Sequence, residues 1–191
     1  MITLKSAREI EAMDKAGDFL ASIHIGLRDL IKPGLDMWEV EEYVRRRCKE
    51  ENFLPLQIGV DGAMMDYPYA TCCSLNDEVA HAFPRHYILK DGDLLKVDMV
   101  LGGPIAKSDL NVSKLNFNNV EQMKKYTQSY SGGLADSCWA YAVGTPSEEV
   151  KNLMDVTKEA MYKGIEQAVV GNRIGDIGAA IQEYAESRGY G

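Results

Sequence analysis

Apolar residues recur at helical spacing in two stretches near the start of the chain. Ser6 and Glu9 have the form of a capping box, and the helix that follows is expected to stop at Pro33-Gly34. Its apolar stripe consists of Ile10, Met13, Ala16, Leu20, Ile23, Leu27 and Leu30 or Ile31. Asp36 and Glu39 are expected to cap a second helix, whose inner face carries Met37, Val40, Tyr43, Val44 and Cys48. The chain therefore opens with a pair of amphipathic helices.

After Asn52 the pattern changes to short apolar or alternating runs that are typical of strands. Asp91-Gly92 is typical of a tight turn into one of them. The predicted strands are residues 56–60, 69–75, 78–83, 94–101 and 134–143.

Helical spacing returns after the last predicted strand. Thr145-Pro146-Ser147-Glu148 has the form of a capped helix start, with Thr145 as the cap, and this helix is expected to end at Gly171. A further helix is predicted over residues 176–188, before Gly189.

The two helical regions resemble each other. When Gly34 is placed over Gly171, apolar positions coincide without gaps, with Met37 on Ile174, Val40 on Ile177 and Val44 on Ile181. Chance agreement of the two patterns is the alternative. A true repeat predicts a first copy over about 5–143 and a second copy that begins at 145–191 and lacks its strands.

Composition limits the class of protein. With 191 residues, 46% hydrophobic and 26% charged, the chain is typical of one globular domain, 1–191. The first residues lack a signal-peptide pattern and no window is apolar enough to span a bilayer, so we expect a cytoplasmic protein without a membrane partner. The net charge of −8 disfavours specific nucleic-acid binding. The run Arg45-Arg46-Arg47 predicts a solvated helix face with local ion pairs, because it lies beside Glu41, Glu42, Glu50 and Glu51.

Two aspartates interrupt predicted strands. Asp98 and Asp136 each lie in an otherwise apolar or alternating run, where a carboxylate is costly to bury unless it is paired or binds a cation. Two facing carboxylates would repel each other, so a site for a hard metal ion is one interpretation. The alternative places one aspartate on an exposed edge strand and bonds the other to a backbone amide.

His81 is the third candidate residue. The sequence places it in the predicted strand 78–83, close in the chain to the strand of Asp98, so it is a candidate acid, base or ligand. A satisfied structural histidine is the alternative.

Several segments together resemble the type I methionine aminopeptidases. Asn76-Asp77-Glu78-Val79-Ala80-His81 is similar to a motif of that family, and Asp91-Gly92-Asp93-Leu94-Leu95-Lys96-Val97-Asp98 is similar to the approach to its first metal-binding aspartate. Asp136-Ser137 resembles the second aspartate, and Tyr67-Pro68 with Cys72 resembles the segment that lines the methionine pocket.

The resemblance implies an α+β pita-bread fold, which is a duplicated unit of two helices and antiparallel strands. It implies that Asp98 and Asp136 hold two divalent metal ions (Co, Mn, Fe or Zn) and that His81 donates a hydrogen bond to the scissile peptide. Tyr67, Cys72 and His81 would contact the substrate. The implied activity is removal of the initiator methionine when the second residue is small. The implied partners are nascent polypeptide N-termini, with the ribosome as a candidate, and the complete protein is expected to be a monomer.

The sequence departs from the family pattern in two places. Residues 103–132 separate the two aspartates and predict an inserted loop. The family's remaining ligands, one His and two Glu, are not found, so we expect a C-terminally incomplete chain that is inactive alone. A non-catalytic pita-bread protein that binds a partner is the alternative function, and another peptidase or a creatine-cleaving enzyme of the superfamily is a third.

Overall fold

The computed structural model describes residues 4–191. Residues 1–3, which belong to the predicted domain 1–191 and to the start that lacks a signal-peptide pattern, lie outside the described residues. The chain divides into two compact units, Met1–Gly144 and Thr145–Gly191.

Both helices predicted at the start of the first unit are confirmed. Helix α1 spans Ala7–Leu30, and the capping box of Ser6 and Glu9 is formed as expected. Helix α2 spans Trp38–Glu51. Most of the predicted α1 stripe is buried, but Ile10 and Met13 are 57% and 38% exposed, so the buried face begins only at Ala16.

The sheet of the first unit is built around one long strand. The strands are β1 Leu54–Pro55, β2 Cys72–Leu75, β3 Leu94–Gly102 and β4 Leu134–Ala142. Strand β3 pairs antiparallel with the other three, and β4 pairs with it along its whole length. Helix α1 packs against β4, and the core lies between the helices and the sheet.

The predicted strands between Asn52 and Phe83 are largely wrong. Residues 56–60 form a turn in which the Ile58 amide bonds to the Pro55 carbonyl and Gly59 has a φ of +88°. Only the end of the predicted strand 69–75 is a strand. Residues 78–83 do not form one, because Asn76 and His81 adopt left-handed backbone angles that break extended pairing.

The predicted inserted loop 103–132 contains regular structure. It holds a 3₁₀ turn at Val112–Lys114 and helix α3 at Val120–Ser129. The Asn52 side chain anchors it, since its amide nitrogen bonds to the Ile105 carbonyl at 2.6 Å and its oxygen accepts from the Val112 amide at 2.8 Å. The segment adds buried side chains to the core, namely Val112, Leu115, Phe117 and Met123.

The second unit contains two helices. Helix α4 spans Glu148–Glu166 and α5 spans Ile174–Glu186. The cap predicted at Thr145 is wrong, because the Ser147 hydroxyl accepts from the Val150 amide and α4 begins after it. Gly34 and Gly171 both have left-handed φ values, 93° and 104°, at matching places between helices. The duplication itself stays a prediction.

His24 of α1 is fully buried against β4. Its Nδ1 lies 2.7 Å from the Tyr141 hydroxyl and its Nε2 lies 3.3 Å from the Ser137 carbonyl oxygen. Its ring stacks on Trp139 with 4.8 Å between centroids. Burial lowers the pKa of His24 from 6.5 to about 4, so the imidazole is neutral at pH 7.

We predict that this histidine makes the fold acid-sensitive. Between pH 6.5 and 4 the unfolded chain binds a proton that the folded chain excludes, so the free energy of unfolding falls as the pH is lowered through this range. The full loss should be about 3 kcal/mol. Urea unfolding at several pH values measures it. The His24→Gln variant should lose this part of the pH dependence, whereas His86→Gln, which changes an exposed histidine, should keep it. An equal slope in His24→Gln and the native chain would contradict the prediction.

Candidate metal centre

Asp98 and Asp136 lie on one face of the sheet. In strand register Asp98 is opposite Cys138, and Asp136 is opposite Val100. Side chains directly opposite each other, and those two residues apart on one strand, point to the same face. The two aspartates are therefore diagonal neighbours on the face opposite to the one that α1 covers.

The two carboxylates interact electrostatically. Burial raises the pKa of Asp98, and the neighbouring charge of Asp136 raises it further, while His81 acts in the opposite direction. The structure thus brings Asp98 and Asp136 to one face of the sheet, and His81 is close enough to influence the charge of Asp98. The alternative interpretation placed one aspartate on an exposed edge strand. It holds for Asp136, which is exposed on β4, and among the described residues β4 pairs only with β3. Its proximity to Asp98 nevertheless leaves two carboxylates that repel each other.

His81 lies in a loop and not in the predicted strand. Its φ of 59° is left-handed and its side chain is exposed. The loop is held to β2, because the Cys73 amide donates to the Ala82 carbonyl at 2.9 Å and the Ala82 amide donates to the Ser74 hydroxyl at 3.3 Å. These bonds fix the backbone directly after His81 beside β2, in which Cys72 lies opposite Asp98 of β3.

Tyr67 and Cys72 form a wall next to the aspartates. The Tyr67 hydroxyl donates to the carbonyls of Thr71 and Ala82 at 3.0 and 3.3 Å. Cys72 lies opposite Asp98 in the sheet. Burial raises the pKa of both Tyr67 and Cys72, so both side chains remain neutral at pH 7.

Gln57 is a residue at this wall that the sequence did not single out. Its Nε2 donates to the Cys72 sulfur at 3.2 Å, and the residue is 9% exposed. Within residues 4–191 its Oε1 has no hydrogen-bond partner. The sequence signal that could have identified Gln57 is its position as a polar residue between Leu56 and Ile58, within the predicted strand 56–60.

Glu41 was also missed. The predicted local ion pairs are formed by Arg45 with Glu41 and by Arg46 with Glu50, but the predicted solvated face is wrong at Glu41. Glu41 is fully buried, and its carboxylate accepts from the amides of Ala70 and Thr71 at 2.8 and 3.0 Å and from the Thr71 hydroxyl at 2.6 Å. Arg45 pairs with it and donates to the Pro68 carbonyl at 3.0 Å. The pair fixes the backbone directly before Cys72.

The donors at this face fit part of a divalent metal site. Carboxylate oxygens suit hard and borderline divalent ions, and two repelling carboxylates are relieved by a cation. Two ligands are fewer than the four to six that such ions take. Among residues 4–191 no group of three or more His, Cys, Asp or Glu is placed to hold a metal ion.

Comparison with known proteins assigns the family of this chain. The model of Metallopeptidase family M24 matches residues 11–104 and 125–191. The chain belongs to metallopeptidase family M24. Membership of this family implies divalent metal cofactors. The residues between the two matched segments, 105–124, fall inside the predicted insertion.

Three proteins that are similar to this chain are named methionine aminopeptidases. The chain is 33% identical over 187 residues to methionine aminopeptidase 1 of Bacillus subtilis, covering 98% of this chain and 63% of that protein. A solved methionine aminopeptidase from Streptococci is 99% identical, with a TM-score of 0.93, and the match covers 100% of this chain and 67% of that one. The Thermotoga maritima methionine aminopeptidase is 33% identical, with a TM-score of 0.79, over 99% of this chain and 64% of that one.

These matches confirm the predicted family and the α+β pita-bread fold. The chain spans about two thirds or less of the length of these relatives. Among the described residues, no helix is long and apolar enough to cross a membrane.

Proposed function

We propose that the whole protein to which this chain belongs removes the N-terminal methionine from polypeptides whose second residue is small. The observation that carries the proposal is the placement of Asp98 and Asp136 on one sheet face, with carboxylates close enough to repel each other. Together with His81 they form the acidic half of a hydrolytic metal site. The names of the relatives support the same activity.

Each candidate residue has one role in this proposal. Asp98 and Asp136 would hold two divalent metal ions, drawn from Co, Mn, Fe and Zn, which when bound supply Lewis-acid activation of a peptide carbonyl. His81 would donate a hydrogen bond to the scissile peptide, and Tyr67 and Cys72 would line the pocket for the methionine side chain. The family resemblance implies further ligands, one His and two Glu, which residues 4–191 do not place at the site.

The proposed substrates are the N-termini of nascent chains, which places the enzyme in the cytoplasm close to the ribosome. The four cysteines, Cys48, Cys72, Cys73 and Cys138, are all free, which supports a reducing compartment. The non-catalytic alternative is disfavoured, because a partner-binding protein has no need for two repelling carboxylates beside a histidine.

Peptide cleavage by the whole protein tests the function. With Mn(II) or Co(II) added after chelation, we expect cleavage of Met-Ala-Ser and little cleavage of Met-Trp-Ser, since a bulky second residue should not fit beside the metals. Residues 1–191 alone should be inactive, because two carboxylates give an incomplete ligand set. Mass spectrometry of the products measures both. Failure to cleave Met-Ala-Ser with any of the four metals would contradict the proposal and favour the partner-binding alternative.

A further inference from the structure

Residues 59–67 form a closed loop that ends at the candidate pocket residue Tyr67. The Gly59 amide donates to the Tyr67 carbonyl at 2.8 Å, and the Tyr67 amide donates to the Val60 carbonyl at 2.9 Å. Tyr67 then bonds through its hydroxyl to the chain that flanks Cys72 and His81. The position of the Tyr67 ring therefore depends on how firmly this loop is closed.

One lysine holds both sides of the loop. The Lys124 ammonium contacts the Asp61 carboxylate near the start of the loop and the Asp66 carboxylate near its end, the latter at 2.9 and 3.1 Å. The side chains of Lys124 and Asp66 are 27% and 33% exposed, so their contact is partly shielded from water, whereas Asp61 is 71% exposed. Without the ammonium the two carboxylates would repel each other, since like charges on one short loop disfavour its closed form.

The backbone of α3 also packs directly on this loop. The Thr127 hydroxyl donates to the Ile58 carbonyl at 2.7 Å. A Cβ atom at Gly59 would lie 2.4 Å from the Lys124 Cα. The backbones of the loop and of α3 therefore approach more closely than a side chain at position 59 would allow. This contact sets the distance from which Lys124 reaches both carboxylates.

Lys124 belongs to residues 105–124, which the family model leaves unmatched. We propose that Lys124 is a positioning residue, through which the inserted segment closes loop 59–67 and fixes Tyr67 at the wall of the substrate pocket. The proposal rests on the proposed function, because only that function makes Tyr67 part of a substrate pocket. On this proposal the insertion helps to hold the methionine side chain through Tyr67, and it does not act on Asp98 or Asp136.

Hydrogen exchange in the whole protein tests the closure of the loop independently of activity. In Lys124→Met, the amides of residues 59–67 should exchange about fivefold faster, and Lys124→Arg should remain close to the native rate. The control is Lys125→Met, because Lys125 is 76% exposed and pairs with the exposed Glu121 at 3.9 Å. Unchanged exchange of these amides in Lys124→Met would overturn the proposal.

Kinetics with Met-Ala-Ser test the consequence for the pocket. Lys124→Met should raise KM about fivefold and change kcat by less than about twofold, because the wall binds the side chain without taking part in the chemistry. Lys124→Arg should restore KM. A fall in kcat at constant KM would overturn the positioning role. If the native protein cleaves no methionine peptide, the proposed function fails, and hydrogen exchange alone still decides whether Lys124 closes the loop.

A second variant covers the case in which Lys124→Met does not fold. Asp66→Ala leaves Lys124 and Asp61 in place and removes the contact of Lys124 with Asp66, so a smaller acceleration of exchange in residues 59–67 is expected. Native exchange rates in Asp66→Ala would overturn the proposal in the same way.

Discussion

The Asp98→Asn variant of the whole protein should release methionine more slowly than the native protein by more than about 100-fold, since changes that only reorient a metal ligand already cost about 10- to 100-fold. Asparagine keeps the size of the side chain but removes the charge that balances a divalent cation. The rate of Met-Ala-Ser cleavage at saturating Mn(II) measures the loss. The control is Asp109→Asn, which changes an exposed aspartate of the inserted segment and should leave the rate unchanged.

The same substitution should leave the metal-free fold as stable as the native one, or more stable. Asp98 is partly buried and is repelled by Asp136, so neutralising it removes an unfavourable interaction. Urea unfolding in the presence of a chelator measures this. A variant that keeps the native rate would refute the assignment of Asp98 as a ligand. A variant that unfolds would indicate that Asp98 serves the structure instead of the metal.

The second large effect is expected at Glu41. Glu41→Leu should lower the free energy of unfolding by about 3–5 kcal/mol, because it removes one partner of a buried ion pair and leaves the amides of Ala70 and Thr71 without acceptors. Arg45, whose side chain is 15% exposed, would lose its buried partner as well. Urea or thermal unfolding of residues 1–191 measures the change.

The neighbouring residue provides the control for this experiment. Glu42 is exposed on the same helix, so Glu42→Leu should change the stability by less than about 0.5 kcal/mol. Equal effects of the two substitutions would show that Glu41 does not hold the segment before Cys72.

In the whole protein, Glu41→Gln should raise KM for methionine peptides, since one acceptor oxygen of the carboxylate is replaced by an amide donor.

Helices could be predicted well from local patterns. The capping box at Ser6 and the stop at Pro33-Gly34 depend on residues within one turn of each other, and α4 was predicted with its cap at Thr145 where the structure has Ser147. Strands were predicted less well, because their existence depends on a partner elsewhere in the chain. Residues 78–83 carry an alternating pattern but form no strand with the other described residues, because the left-handed backbone at His81 bends them into a loop that bonds to β2 at Ala82.

The residues of the candidate site were found from sequence, but their arrangement was not. An aspartate in an apolar strand, as at positions 98 and 136, is visible because a buried carboxylate is costly. That the two share a face follows only from the register, which sets Asp98 opposite Cys138 across the inserted segment. A register shifted by one residue would have placed Asp136 on the face covered by α1.

The sequence by itself determined the helix pairs, the family resemblance and the candidate residues His81, Asp98 and Asp136, because each depends on nearby residues or on residue types in a recognisable order. Only the tertiary structure decided the contacts between distant segments. Glu41 is a buried acceptor for the chain before Cys72, and Lys124 of the insertion closes the loop before Tyr67. The sequence predicted a solvated helix face at Glu41 and did not single out Lys124, because their roles depend on which amides and carboxylates the fold brings beside them.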